Sequence, residues 1–194
     1  MKLFSQYQDL ATPRLKGILS SLQPTQRRAM LARLGKELEV QLKKHFSDRE
    51  SNSPNKQGFP RSHFWIREVR NKTALREVTP DRASVGIDSV PFAFKLRGGT
   101  IRPGPGRKFL AIPVRAEVYG VLPRAGTIPG LFFKKLSGGR YYLAAHDGQA
   151  LRVYWRLVRS VTMPADPNAL PPVSKLQAAL EARADKEIGR ILQQ

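Results

Sequence analysis

The residue types able to carry chemistry are few and scattered. His45, His63 and His146 are the whole imidazole complement, and none has a second His, Asp or Glu at a metal-ligand spacing such as H-E-x-x-H. Cysteine is absent. That removes thiolate nucleophiles, disulfide frameworks and sulfur-ligated zinc, and it suits a chain kept in a reducing cytosol. His146 and Asp147 are adjacent but read, with Gly148 and Gln149, as a hairpin connection, a structural use of Asp and Gly that outweighs a catalytic dyad. Glu117, Asp147 and Asp166 fall in separate segments, so no two carboxylates are set on one rigid face for acid–base hydrolysis. The sequence predicts no enzyme, no cofactor and no metal.

A different kind of chemistry is suggested by the basic, glycine-rich stretch from Arg97 to Lys108. Backbone N–H groups and arginines can cradle anions. A nucleotide-binding loop of the Walker type is excluded, because it ends in Gly-Lys-Ser/Thr, whereas Gly104 here precedes Pro105, which has no N–H to donate. Two readings stay open: a sharp connection with solvated arginines, or a protruding loop that meets a partner or DNA. On the second, the contact residues are Arg97, Gly98, Gly99, Thr100, Ile101, Arg102, Arg107 and Lys108. The whole chain agrees with an anionic partner, for 34 Lys and Arg face 15 Asp and Glu over 194 residues, a formal charge of +19. No RNP-like, zinc-finger, basic-zipper or KH pattern is present, so readout of a specific base sequence has no support.

The elements that position these residues follow from periodicity. Thr12 and Pro13 form a helix start, with Leu15, Ile18, Leu19 and Leu22 on one face. After Pro24 a longer stripe of Leu31, Leu34, Leu38, Leu42 and Phe46 predicts a second helix, whose Arg28, Arg33, Lys36, Lys43 and Lys44 read as a solvated face. The polar, turn-rich run from Ser47 to Ser62 predicts a loop, pinned back by an apolar knot in which Trp65 is core rather than an exposed docking residue. Ala83, Val85 and Ile87 alternate with polar neighbours, as in a half-buried strand. Lys108 to Val114 predicts a strand, and Leu131 to Lys135, Arg140 to Ala145 and Ala150 to Leu157 predict an antiparallel meander. In the last of these, Leu151, Val153, Trp155 and Leu157 are expected on the core side, with Arg152, Tyr154 and Arg156 wet and helices covering the apolar face.

Pro164, Pro167, Pro171 and Pro172 predict an extended tether, and Ser174 with Gln177 forms a capping box opening a C-terminal helix. The expected organisation is an α+β core over residues 1–163, helical over 12–46 with sheet and loops over 82–163, followed by the tether and helix of 164–194. The helix stripe contains Leu176, Leu180, Ile188 and Ile191, the candidate oligomer contact, and it packs on its own domain or on a neighbouring subunit. On the second alternative, deletion after Pro172 weakens assembly and leaves a folded monomer. The N-terminus lacks the apolar core of a signal peptide and no run is long enough to cross a bilayer, which predicts a soluble chain without membrane contact.

The order of several short motifs resembles the phage virion morphogenesis family. They are Leu22 to Arg28, a glycine-to-tryptophan stretch from Gly58 to Trp65, Gly98 to Pro103, Phe109 to Pro113, and Val161 to Pro164. The resemblance covers about Leu15 to Leu192; the chain departs from it at Ala165-Asp166-Pro167 and between Ser51 and Arg61. It implies a tail-completion or head–tail neck protein of a tailed bacteriophage, assembled in the host cytoplasm and resident in the virion. The implied partners are the head connector or adaptor, the tail tube or terminator, and copies of itself in a homo-oligomeric ring, with non-specific contact to packaged DNA. No active site is carried over. The alternative reading, from charge alone, is a basic nucleic-acid-binding protein without sequence preference.

Overall fold

The computed structural model describes residues 22–52, Phe59 and residues 63–192. The short helix expected from Thr12, most of the loop between Ser53 and Ser62, and the side chain of Ile191 lie outside the described residues. The chain divides into two compact units. One combines the chain up to Ser53 with His63–Leu96 and Asp166–Gln194, and the other is Arg97–Ala165 with Pro54–Ser62. The fold is α+β, with a long N-terminal helix and a C-terminal helix accompanying antiparallel sheets.

In the first unit, helix α1 spans Pro24–Asn52. Pro24 starts it where the missing N–H costs nothing, and the Gln26 side chain accepts the Gln23 N–H at 3.0 Å, the returning arm of a capping box. The stripe of Leu31, Leu34, Leu38, Leu42 and Phe46 is buried along its whole length, together with Met30. The helix runs past the expected end near Phe46. Its last turns are held from outside, because Glu50 accepts the Trp65 N–H at 3.0 Å and Arg49 reaches Asp166 at 2.7 Å. Tertiary anchors there outweigh the turn-forming composition.

Strands β1 (Thr73–Val78) and β2 (Ala83–Ile87) form an antiparallel hairpin that packs on α1. Gly35 permits the approach: a Cβ there would lie 2.6 Å from Leu75 Cδ1 and 3.1 Å from Ala83 Cβ. The apolar patch after Asp88 is a short helix, α2 (Val90–Arg97), capped by Ser89, whose hydroxyl accepts the Phe92 N–H at 3.2 Å. Phe92, Phe46 and Trp65 meet in one aromatic cluster, with Trp65 stacked on Phe46 at 6.1 Å. Trp65 is therefore core, as its setting in the sequence implied.

The final helix, α3 (Val173–Leu192), packs against α1 in the same chain. Leu176, Leu180 and Ala184 are buried in the same core as the α1 stripe, and half-buried Ile188 packs against it. Leu176 and Leu180 are thus corrected from oligomer contacts to interior residues, and the division between 163 and 164 gives way to boundaries at Arg97 and Ala165. An amphipathic stripe states that a helix must be covered; it does not state by what. Burial of each leucine stabilises by about 1.5–3 kcal/mol.

The two buried carboxylates of this unit, Glu187 and Glu39, are closely neutralised. Buried Glu187 is met by Arg33, by Arg183 at 2.8 Å and by Arg190 at 3.9 Å. Glu39 is met by Lys43 at 2.5 Å and Lys36 at 3.0 Å. Burial would raise the Glu39 pKa, but the two ammonium groups outweigh it and hold the carboxyl below its usual range. His45 is also depressed, first by burial and then by the charges of Arg49 and Lys175, against the hydrogen bond from its Nε2 to Asn168 O at 3.3 Å. Both folded-state values lie below the unfolded ones. Each contribution is accordingly complete above the unfolded value and lost as pH falls through the folded one.

Leu180→Ala is expected to cost about 2–5 kcal/mol, seen as a lower urea midpoint at unchanged slope. Removal of residues after Pro172 should unfold this unit, in contrast to the folded monomer expected from a free tether. A Leu180→Ala cost under about 1 kcal/mol would show that α3 does not complete the core.

Candidate functional site

The second unit carries the charge. Between Arg97 and Ala165, twelve Lys and Arg stand against Glu117 and Asp147 alone. Asp147 is paired with Arg152 at 2.6 Å, and no other ion pair forms among the described residues of this unit. Arg115 is turned inward, donating from Nε to Val153 O at 3.0 Å with its guanidinium over the Tyr154 ring. Arg97, Arg102, Arg107, Lys108, Lys134 and Arg156 are exposed, and their side chains make no hydrogen bond or ion pair among the described residues.

The glycine-rich stretch is built rather than loose. Gly98 follows α2 in the left-handed region at φ +71°, where a helix commonly ends. A Cβ on Gly98 would lie 2.7 Å from Ala165 N and 2.9 Å from Met163 O, so two backbone segments touch where only glycine fits. Strand β3 (Gly99–Ile101) then pairs antiparallel with β8 (Val161–Met163), and the hydroxyls of Thr100 and Thr162 lie 3.0 Å apart. Beyond it, Arg107 N–H donates to Gly104 O at 3.1 Å, with Pro105 and Gly106 at the two central positions and Gly106 at φ +72°. That is the pattern of a type II turn. Arg102, Arg107 and Lys108 surround this turn, all exposed; Gly99 and Thr100 are held in the ladder.

The larger sheet has the order β4 (Leu110–Pro113), β7 (Ala150–Val158), β6 (Tyr141–Asp147), β5 (Phe132–Lys135), every neighbour antiparallel. Part of one face is covered by the unit's own irregular segment, and Phe133 on that face stays exposed. Val118, Ile128 and Leu131 pack there with Ala111, Leu143, Ala145, Tyr154 and Trp155, so in this unit a loop takes the place of the expected helices. The expected alternation along β7 is corrected as well. A register shift at Leu143/Ala144 inserts an extra residue in β7, so Tyr154 and Trp155 are both buried, and Leu151 and Val153 fall on the face opposite Trp155 and Leu157.

That opposite face has its own pattern. Across three strands Lys134 pairs with Tyr142 and Tyr142 with Arg156, so the three side chains share a row. Beside the row the rings of Phe132 and His146 stack at 5.4 Å and 21°. His146 is the last strand position but one, not part of the turn, and Asp147 beside it is turned to Arg152. The cross-strand row went unseen in the sequence, because it exists only once the register, bulge included, is known. His45 and His63 lie in the first unit, the latter exposed, with Nδ1 3.4 Å from Glu50. Among the described residues no group of His, Asp and Glu is arranged to hold a metal ion.

No family model, no curated protein and no solved structure matches the chain at a significant level.

Gly98→Ala is expected to destabilise by about 1–3 kcal/mol, because it combines a left-handed backbone with a clash against backbone atoms that cannot rotate away. Hydrogen exchange should show the loss first in β3 and β8. A variant as stable as the parent would mean that the two segments are not held at this separation.

Proposed function

We propose that this chain is a non-enzymatic structural subunit of a tailed-phage particle, a tail-completion or neck component that joins tail tube to head connector as a homo-oligomeric ring. The observation that carries the reading is the uneven distribution of charge. The helical unit pairs most of its described carboxylates with cations and leaves Glu37, Asp88, Glu181 and Asp185 without one, whereas the β-rich unit has only two carboxylates and keeps most of its cations exposed and unpaired on a small, well-hydrogen-bonded scaffold. Unneutralised charge of one sign opposes compaction and is retained where a polyanion or an acidic neighbour offsets it. A particle neck presents both. The motifs behind the family resemblance also fall at joints of the fold, since Gly98 to Pro103 and Val161 to Pro164 contain the two strands of the β3–β8 ladder.

The second reading, a basic nucleic-acid-binding module without sequence preference, draws on the same cations and differs in having no need of self-assembly. No helix among the described residues is long and apolar enough to cross a membrane.

Light scattering over a range of protein and salt concentrations separates the two. The ring reading predicts a mass of several chains that persists on dilution or returns reversibly on concentration. A single-chain mass throughout, with tight salt-sensitive DNA binding, would contradict it in favour of the second reading.

A further inference from the structure

The row Lys134–Tyr142–Arg156 is more specific than a basic patch. Neighbouring strands lie about 4.8 Å apart, so the two cations sit about 10 Å from one another with an aromatic ring between them. Phe132 and His146 extend the apolar surface beside the row as a stacked pair, and small Ala144 is flanked by Phe132 and Val153. Tyr142 and Phe132 are half-buried, which fixes their rings, and Lys134, His146 and Arg156 remain exposed. Neither cation has an acidic partner among the described residues. The other face of the same sheet is covered by the unit's own loop around Trp155 and Leu143, while its Phe109, Phe133 and Tyr141 cluster, with Lys135 over Tyr141, has one cation at its edge and no ring set between two cations.

Exposed cations interleaved with fixed aromatic rings on a sheet match unpaired nucleotides. Phosphates offset the charge, and bases, which present a π-face whatever their identity, stack on the rings. Duplex DNA offers the charge but hides the base faces, and an acidic protein surface offers nothing for the rings. We infer that this face of the β4–β7–β6–β5 sheet binds single-stranded nucleic acid without sequence preference, with Tyr142 and Phe132 as stacking residues and Lys134 and Arg156 as phosphate contacts. This goes beyond the particle-assembly reading and does not require ring formation.

The test uses the full chain and a fluorescein-labelled oligo(dT), with a mixed-sequence duplex of equal length alongside. Tyr142→Ala should weaken oligo(dT) binding about tenfold or more and duplex binding less than twofold, while Tyr142→Phe keeps the parent affinity. Lys134→Gln with Arg156→Gln should weaken both and reduce the salt dependence. Photocrosslinking of 5-iodouracil-substituted oligo(dT) to the unmutated protein removes any dependence on variant folding; crosslinks should map to Phe132, Tyr142 or His146. Tyr142→Ala acting equally on single strand and duplex overturns the inference, as do crosslinks confined to Phe109, Phe133 and Tyr141 on the other face, or no crosslink. A failure here with ring-sized particles still present would leave the assembly reading standing.

Discussion

Trp65 is the point on which the helical unit depends. Its ring stacks on Phe46 and meets Phe92 edge to face, and the Arg49 guanidinium lies 4.3 Å from its centroid. Arg49 in turn holds Asp166 and the Asn168 carbonyl, and Lys95, also over the Trp65 ring, accepts the Asp166 N–H at its own carbonyl at 2.9 Å. One indole thus gathers the end of α1, the turn after His63, helix α2 and the chain after Ala165. Cation–π and hydrogen-bond terms of this kind are individually about 0.5–2 kcal/mol. Their importance here is positional. Lys95 and Asp166 bracket residues 97–165 in the sequence, so the hub ties together the chain on both sides of that stretch.

The residues between 97 and 165 are strongly cationic. A segment rich in like charge resists collapse, and this one relies on backbone pairing and aromatic packing in place of ion pairs. Within the β-rich unit the β3–β8 ladder is tightened by Gly98, and the four-stranded sheet carries its own small core around Trp155 and Val118. Side-chain charge is then free to face outward.

Much of this was legible in residue types. The α1 stripe from Leu31 to Phe46 and the three meander strands follow from spacing, because one periodicity matched one environment, and the burial of Trp65 follows from the run of apolar residues around it. The failures share a cause. Helix α3 has the same amphipathic stripe whether it covers its own chain or a neighbour, and four prolines before it resemble a free tether although Ala169 is fully buried in the core. The α1 terminus depends on Arg49 and Glu50 finding partners far along the sequence. The bulge at Tyr154 breaks a two-residue alternation that strand reading assumes, and with it goes the row Lys134–Tyr142–Arg156. The basic turn from Arg102 to Lys108 was visible at once, since exposure of charge needs no partner to be known.

The central claim is that the unpaired cations of the β-rich unit meet a polyanion, and the salt dependence of duplex DNA binding tests it most directly. The logarithm of the observed association constant should fall linearly with the logarithm of salt concentration, by about 0.9 for each phosphate neutralised. Replacing Arg102, Arg107 and Lys108 with glutamine should flatten that slope by about one for each phosphate no longer neutralised, while replacing Arg28 and Arg70 of the helical unit leaves it unchanged. A slope near zero, or one flattened equally by both sets, would contradict the claim.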